Sequence, residues 1–291
     1  MMHRPGNILL FCITAILAGC TANRATPAAI RENMRFNVAV TPNTRIAASS
    51  DKEYPDNVPF AVWAMDSGGK YLLDGVPSEL NSEGLWQPEG GMLWPEGNPA
   101  LVFLAASPFG RGLCDTEKGI VFEDYDLSED IDLLYTDPVR FKNQSSAHGV
   151  VPLDFRHALA TLRFSVRARI TDGVSLTVRK IIIEGLATEG SFSSIPAAAW
   201  TCGKQDGVVT VFDGSAKLDE NRTVLGEGTY QIPQSGIVRV KVVFDYKSGE
   251  VTVDGMQTDA EMQMILVSGK VSQYLITVTS GFDLDIEKDN S

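Results

Sequence analysis

Apolar and polar residues alternate most strictly in the middle of the chain. Between Leu162 and Ile170 every second residue is apolar. The polar positions between them include three arginines, Arg163, Arg167 and Arg169. Because side chains of a β-strand point to opposite faces in turn, this stretch predicts a half-buried strand with a basic outer face. That face is either solvated or a contact for the acidic first half or a neighbouring molecule.

Further strands are predicted along the whole chain. Residues 236–246 alternate in the same way, and shorter apolar runs are bounded by Gly, Pro, Asn or Asp. These runs are residues 36–40, 58–65, 101–106, 176–184, 190–194, 208–212, 251–253 and 273–279. Turn residues occur at 66–69, 213–214 and 247–249, and residues 259–266 are the best candidate for a helical turn. Many short strands separated by turns predict an all-β fold with a β-sandwich in each half.

The N-terminus is typical of an export signal. Residues 8–17 are apolar but too few to span a bilayer as a mature helix. The run ends in Leu17-Ala18-Gly19-Cys20, which resembles a bacterial lipobox. In that interpretation residues 1–19 are removed, Cys20 carries the lipid, and residues 20–35 form a tether. An ordinary signal peptide with an incidental Cys20 is the alternative.

Length and charge limit the class of protein. The 291 residues suit about two domains. We expect an N-terminal domain over residues 36–147 and a C-terminal domain over residues 148–291, with the boundary just before the 150–170 stretch. The 37 acidic residues exceed the 25 basic ones. Nucleic acid is therefore not expected as a partner, because phosphate binding requires a basic face.

Little in the sequence supports catalysis. Apart from His3 in the signal, the histidines are His148 and His157, and no phosphate loop, GxSxG or HExxH motif occurs. We expect His157 to be a core or edge residue that is hydrogen-bonded to backbone. The sequence therefore predicts neither an enzyme nor a cofactor.

An acidic stretch offers a candidate ion site. Asp124, Asp126, Asp130 and Asp132 could supply oxygen ligands to calcium. The glycine and the final glutamate of an EF-hand loop are missing, so a solvated loop or strand edge is the simpler interpretation.

Two cysteines remain after removal of the signal and lipidation of Cys20. Cys114 and Cys202 could form a disulfide in an exported protein or stay as separate buried thiols. Their spacing does not suggest a metal site.

Five segments, in order, resemble the fimbrillins, the lipoprotein-precursor pilins of anaerobic Gram-negative gut and oral bacteria. They are VPFAVWAM (58–65), GMLWPEGNPALVFLAASP (91–108), VPLDFRHALATLRFSV (151–166), YQIPQSGIVRVKVVFDY (230–246) and GKVSQYLITVT (269–279). The resemblance implies two tandem transthyretin-like β-sandwich domains. It also implies an outer-membrane lipoprotein precursor that polymerises into a surface fimbria and supports adhesion to a host or bacterial surface.

The resemblance further implies assembly by donor-strand exchange. An Arg- or Lys-specific protease removes the first strand, and a strand of another subunit fills the groove. The best-placed cleavage site here is Arg45. The strand that would vacate the groove carries Phe36, Val38 and Val40. A candidate donor strand carries Phe282, Leu284 and Ile286, which could equally be the last strand of the second domain.

Two alternatives to a cleaved stalk subunit remain open. The chain could be a fimbrial anchor that keeps its lipid, or an accessory subunit. It could also be a monomeric surface lipoprotein that binds glycan by stacking sugars on Trp86 and Trp94. Packing of these two tryptophans under the Gly/Pro-rich loops is the simpler interpretation.

Overall fold

The computed structural model describes residues 32–41, 54–143, 149–170 and 172–289. Within these ranges the chain is all-β: one short 3-10 helix, Leu127–Glu129, accompanies the strands, and no α-helix occurs. In the described part of the chain, no helix has the length and hydropathy needed to cross a membrane. The strands are β1 (Arg35–Val40), β2 (Ala61–Met65), β3 (Tyr71–Leu80), β4 (Trp86–Pro88), β5 (Ala100–Ser107), β6 (Leu113–Asp115), β7 (Gly119–Asp126), β8 (Leu134–Thr136), β9 (Val139–Lys142), β10 (Val150–His157), β11 (Ala160–Arg169), β12 (Val174–Leu186), β13 (Glu189–Ser193), β14 (Ala199–Cys202), β15 (Gly207–Leu218), β16 (Thr223–Gln231), β17 (Ser235–Ser248), β18 (Val251–Ile265), β19 (Val271–Thr279) and β20 (Leu284–Lys288).

The first sheet closes on itself. Its strand order is β2-β3-β4-β1-β10-β8-β5-β9, and β2 also pairs with β5. β1 runs parallel to β10 in a register of six residue pairs that begins at Arg35 and Val150. The interior is filled by large side chains such as Phe36, Trp94 and Phe103. We refer to this closed sheet as the ring.

β2 and β5 are buried on both faces, which explains why they are continuous apolar runs without alternation. One face lines the interior of the ring. The other packs on a four-stranded sheet of order β14-β13-β7-β6 through residues such as Trp63, Leu104 and Phe192. This sheet takes two strands from each half of the sequence, so it joins the halves through a shared core.

The C-terminal strands form a sandwich of two four-stranded sheets, β16-β11-β19-β20 and β15-β12-β17-β18. The alternation predicted for residues 162–170 and 236–246 is confirmed. Leu162, Phe164 and Val166 of β11 are buried and face Val240 and Val242 of β17 in one core. Both strands are half-buried because their other faces point away from that core.

The central stretch, residues 150–170, does not belong to one sheet. β10 pairs with β1 and β8 in the ring, whereas β11 pairs with β16 and β19 in the sandwich. The chain therefore passes between them at Ala158–Leu159, later than the boundary expected at residue 148. Arg31–Ser291 forms one compact unit.

Two local predictions were wrong. The turn expected at Asp213–Gly214 is a register irregularity inside β15, where the partner strand shifts between Val178 and Lys180. The candidate helical turn at 259–266 is strand instead, since β18 pairs with β17 up to Ile265. In both places pairing with a long neighbouring strand outweighs local preference.

The shared core predicts cooperative unfolding. Phe192 is buried among aromatic side chains from both halves of the sequence. The centroid of its phenyl group lies 4.8 Å from that of Tyr135 and 5.6 Å from those of Phe122 and Trp200. Phe192→Ala should therefore cost about 3–5 kcal/mol of unfolding free energy. Urea denaturation followed by tryptophan fluorescence and by circular dichroism should give coincident transitions at a lower midpoint. The exposed Val224→Ala should stay within about 0.5 kcal/mol of the parent. Separate transitions for the two halves would contradict a shared core.

Candidate functional site

β1 fills a slot in the ring with its apolar face. Phe36 is fully buried, Val40 is buried and Val38 packs partly on the same core. The ring of Phe36 lies edge-on to Phe60 and Phe103, with centroids 6.3 and 6.1 Å apart. Such contacts stabilise the fold beyond the contribution from burial of a large aromatic surface. The side chains of β1 are therefore part of the interior of the ring, not a cover over it.

The two edges of β1 are bound unequally. Along β10 it has the continuous six-pair parallel ladder. Along β4 it has a single pair, Phe36 with Trp86. Just before β1, the backbone amide of Met34 donates to the carbonyl of Met92 over 2.6 Å, and an isolated β-bridge pairs Asn33 with Leu93. We refer to the contact between β1 and β4 as the seam. It has the fewest residue pairs of the strand pairings that form the ring, among the described strands.

A polar cleft of about 630 Å³ lies along this seam, lined by residues that include Glu32, Asn81 and Gln87. Arg35 closes part of it through an ion pair of 2.9 Å with Glu83. Because Glu83 is largely exposed, this pair contributes little to holding β1 in place.

An aromatic cluster lies under the far end of β1. Tyr54 stacks on Phe155 at 5.2 Å and meets Phe60 and Trp86 edge-on at 5.4 and 5.5 Å. Its hydroxyl shares a hydrogen bond of 2.7 Å with Ser107. Burial raises the pKa of Tyr54 to about 12, although the Ser107 bond opposes the shift. Tyr54 therefore remains a neutral part of the slot at physiological pH.

A second cleft, of about 640 Å³, begins where β1 ends and reaches the sandwich. Its walls include Val40, Tyr54, His157, Arg163 and Tyr230. It connects the slot of β1 to the edge of β16.

His157 has a structural partner at the passage between the ring and the sandwich. Its Nδ1 lies 2.7 Å from Oδ2 of Asp132, and both side chains are largely buried. The predicted backbone partner is therefore replaced by a carboxylate. Next to this pair, the amide of Ala158 donates to the carbonyl of Leu133 over 2.8 Å, which holds the chain at the turn from β10 to β11.

The acidic stretch serves local structure. Asp126 caps the 3-10 helix by accepting a hydrogen bond from the amide of Ser128, and this bond lowers the pKa of Asp126. Asp124 and Asp130 have left-handed backbone angles, φ 45° each. Asp132 pairs with His157. Among the described residues no group of three or more His, Cys, Asp or Glu is placed to hold a metal ion.

The proposed sugar platform is wrong. Trp86 and Trp94 are 5% and 0% exposed and lie in the core of the ring. An indole without an exposed face cannot stack on a sugar. The burial agrees with the simpler interpretation, in which the two tryptophans pack inside the protein.

Two of the three arginines on β11 are bound within their own sheet. Arg163 donates to the carbonyl of Glu227 over 2.7 and 3.1 Å. Arg167 donates to Thr277 over 2.9 Å and pairs with Glu287 at 3.4 Å. Arg169 is exposed.

The C-terminal alternation forms β20, an edge strand of the sandwich paired with β19. Phe282 lies 5.7 Å from Phe244 and 5.6 Å from Tyr246 between ring centroids. Leu284 and Ile286 are half-buried against the same core. In this conformation the tail is the last strand of its own sandwich.

Cys114 and Cys202 are free thiols. They lie on β6 and β14, at opposite edges of the sheet β14-β13-β7-β6. Three strand spacings separate these edges, about 14 Å, and a disulfide needs Cα atoms within about 7 Å. Separate thiols are therefore the alternative that the structure supports.

The chain belongs to the fimbrillin-like family, whose match covers residues 23–290. Solved structures share its fold over 89% of its length. They include a fimbrial protein of Bacteroides vulgatus (14% identity, TM-score 0.59, 98% of that chain covered) and candidate cell adhesion proteins of Bacteroides ovatus (14%, 0.57, 96%) and Bacteroides uniformis (15%, 0.52, 97%). No protein of curated function matches the chain.

Cys20 and Arg45 lie outside the described residues. Met34 and Tyr54 also fill the slot, although the pattern of the sequence did not lead to them. Met34 is in phase with Phe36, Val38 and Val40, so the two-residue period could have found it. Tyr54 carries no comparable signal, because it reaches the slot from a different segment.

The slot predicts a large effect of its central aromatic residue. Phe36→Ala should lower the unfolding free energy by about 3–5 kcal/mol, because it leaves a cavity between Phe60 and Phe103. The control is Asn37→Ala, on the exposed face of the same strand, which should stay within about 0.5 kcal/mol. Urea denaturation measures both, and equal effects would contradict the packing described for β1.

The cysteines should react slowly in the folded protein. Burial raises the pKa of both thiols, and only the thiolate reacts with iodoacetamide. Mass spectrometry at pH 8 should show slow alkylation of Cys114 and Cys202 in native protein and rapid alkylation of both in urea without reductant. An unreactive pair in urea would reveal a disulfide and contradict the sheet order.

Proposed function

We propose that this chain is a structural subunit of a bacterial surface fimbria and acts without catalytic residues. It is exported as a lipoprotein anchored in the outer membrane through Cys20. A protease cuts after Arg45 and removes β1, and a strand of another subunit then fills the slot. The polymer supports adhesion to a host or bacterial surface. In this proposal the ring with the sheet packed on it, and the C-terminal sandwich, correspond to two tandem transthyretin-like β-sandwich domains.

The observation that carries the proposal is the position of β1. A strand that lies over a core can be lost with little damage, whereas β1 completes both the backbone ladder and the interior of the ring. Its loss would leave the edge of β10 unpaired over six residues, beside an apolar slot. Unpaired strand edges are strong templates for strand addition.

The free energy gained when a strand refills the slot favours tight binding between subunits. Burial of Phe36, Val38 and Val40 corresponds to roughly 5–8 kcal/mol of apolar transfer free energy before the cost of ordering the incoming strand. Backbone hydrogen bonds to β10 add to this value. The donor must therefore present large apolar residues at every second position.

An anchor or accessory subunit that keeps its lipid is the second candidate. The arrangement of β20 favours it, because a strand bound to its own sandwich is not free to donate. A subunit of this kind could still accept a strand.

Cleavage at Arg45 should start assembly. Treatment of the precursor with an Arg-specific protease should give ladders of SDS-resistant oligomers, and Arg45→Ala should abolish both the cut and the ladder. Arg24→Ala, which changes an arginine in the tether, is the matched control and should assemble normally. Cleavage of wild-type protein without assembly would overturn the stalk role.

A peptide of residues 32–41 sharpens this test. It should refill the slot of the cleaved protein and suppress the ladder in proportion to its concentration. The same peptide with Phe36→Ala should be a much weaker competitor, because the aromatic pocket stays empty. Equal inhibition by both peptides would show that the slot is not the acceptor.

A further inference from the structure

The cleft between the ring and the sandwich has the size of a ligand site. Its volume of about 640 Å³ lies within the range of about 300–1,000 Å³ that is usual for such sites, which occur preferentially where two parts of a protein meet. The cleft is much larger than one amino-acid side chain. It can therefore accept a side chain together with the peptide segment that carries it.

A buried pair in this cleft offers hydrogen-bond acceptors that lack donors. His157 and Asp132 both line the cleft, and each keeps one buried side-chain atom without a partner among the described residues, Nε2 and Oδ1 respectively. Because a carboxylate oxygen only accepts, Nδ1 of His157 donates in the bond of 2.7 Å that joins the two side chains. In a neutral imidazole Nε2 is then an acceptor, as Oδ1 is. Buried polar atoms normally have partners, and the partner missing from this pair is a donor.

The charge of the cleft favours a cation. Three carboxylates line it, those of Asp130, Asp132 and Glu227, together with one guanidinium, that of Arg163. Arg163 already donates to the carbonyl of Glu227 over 2.7 and 3.1 Å and lies 3.6 Å from the carboxylate of the same residue. The described residues contain no group placed to hold a metal ion. The cation that fits this cleft is therefore an organic one.

The walls of the cleft suit an apolar stem. They include three valines, Val40, Val58 and Val271, and the side chain of Tyr230. An arginine side chain packs its methylene groups on surfaces of this kind while its charged head reaches polar groups. The guanidinium carries five N–H donors and no acceptor, which matches a pair that only lacks donors.

We propose that this cleft binds an arginine side chain presented by a peptide segment of a partner protein. The stem lies against the valines, and the guanidinium donates to Asp132 and His157. The site depends neither on removal of β1 nor on assembly, because all residues that line it belong to the uncut chain.

Isothermal titration calorimetry on the full, uncut chain tests the ligand. A capped pentapeptide with one arginine between alanines should bind saturably, with one site per chain. The same peptide with citrulline in place of arginine should bind about tenfold more weakly or less, because citrulline keeps the shape of the side chain and loses its charge. Absence of saturable binding, or equal binding of both peptides, would overturn the proposal. N-acetylargininamide should bind more weakly than the arginine peptide, and equal affinity would overturn a peptide as the ligand.

Three variants test the location with the arginine peptide. Asp132→Asn should weaken binding by about tenfold or more, because a bond to a charged acceptor is lost. Asp130→Asn should weaken it about two- to fivefold, since this carboxylate is exposed. Asparagine tolerates the left-handed backbone of position 130, so this variant decides the location if Asp132→Asn fails to fold. The matched control is Asp254→Asn, which removes the same charge from an exposed position outside the cleft and should bind as the parent does. Equal weakening in the control, or unchanged binding in both cleft variants, would overturn the site.

Discussion

The parallel ladder between β1 and β10 is the interaction on which the ring depends. It joins the first described strand to a strand that follows all other members of the ring in sequence. The apolar face of β1 completes an interior of aromatic residues that no other strand could fill from its own position. On its other edge the same strand is joined to β4 by one pair only. The ring is therefore closed by a strand that is essential to the interior and bound firmly on one side.

The second constraint is the sheet shared by both halves of the sequence. β6 and β7 pair with β13 and β14, and their core packs on the outer face of β2 and β5. The pair of His157 and Asp132 stands where the chain leaves the ring for the sandwich. The histidine of the segment that resembles the family motif therefore has a structural partner at this crossing point. The two halves of the sequence therefore share a packed core.

Local pattern predicted the sandwich better than the ring. In β11 and β17 one face is buried and the other is solvated, so a two-residue period is visible in the sequence. In β2 and β5 both faces are buried, and the resulting apolar runs identify strands without showing their partners. Nothing local indicates that β1 pairs with β10, because that pairing depends on the path of the whole chain. The assignment of β10 to the ring was missed for the same reason, since β10 and β11 form one continuous pattern.

The order of β1 and β10 in the sequence has a consequence for biogenesis. The ribosome makes β1 first, and its ladder partner follows only after the rest of the ring has been synthesised. Contacts between such distant segments form slowly, because a long loop must close before they are made. Until Phe155 has emerged, Phe36 and its apolar neighbours have no interior to enter, and exposed surfaces of this kind promote aggregation. Ring closure can therefore come only after β10 has been synthesised, and until then the apolar face of β1 lacks its place in the interior.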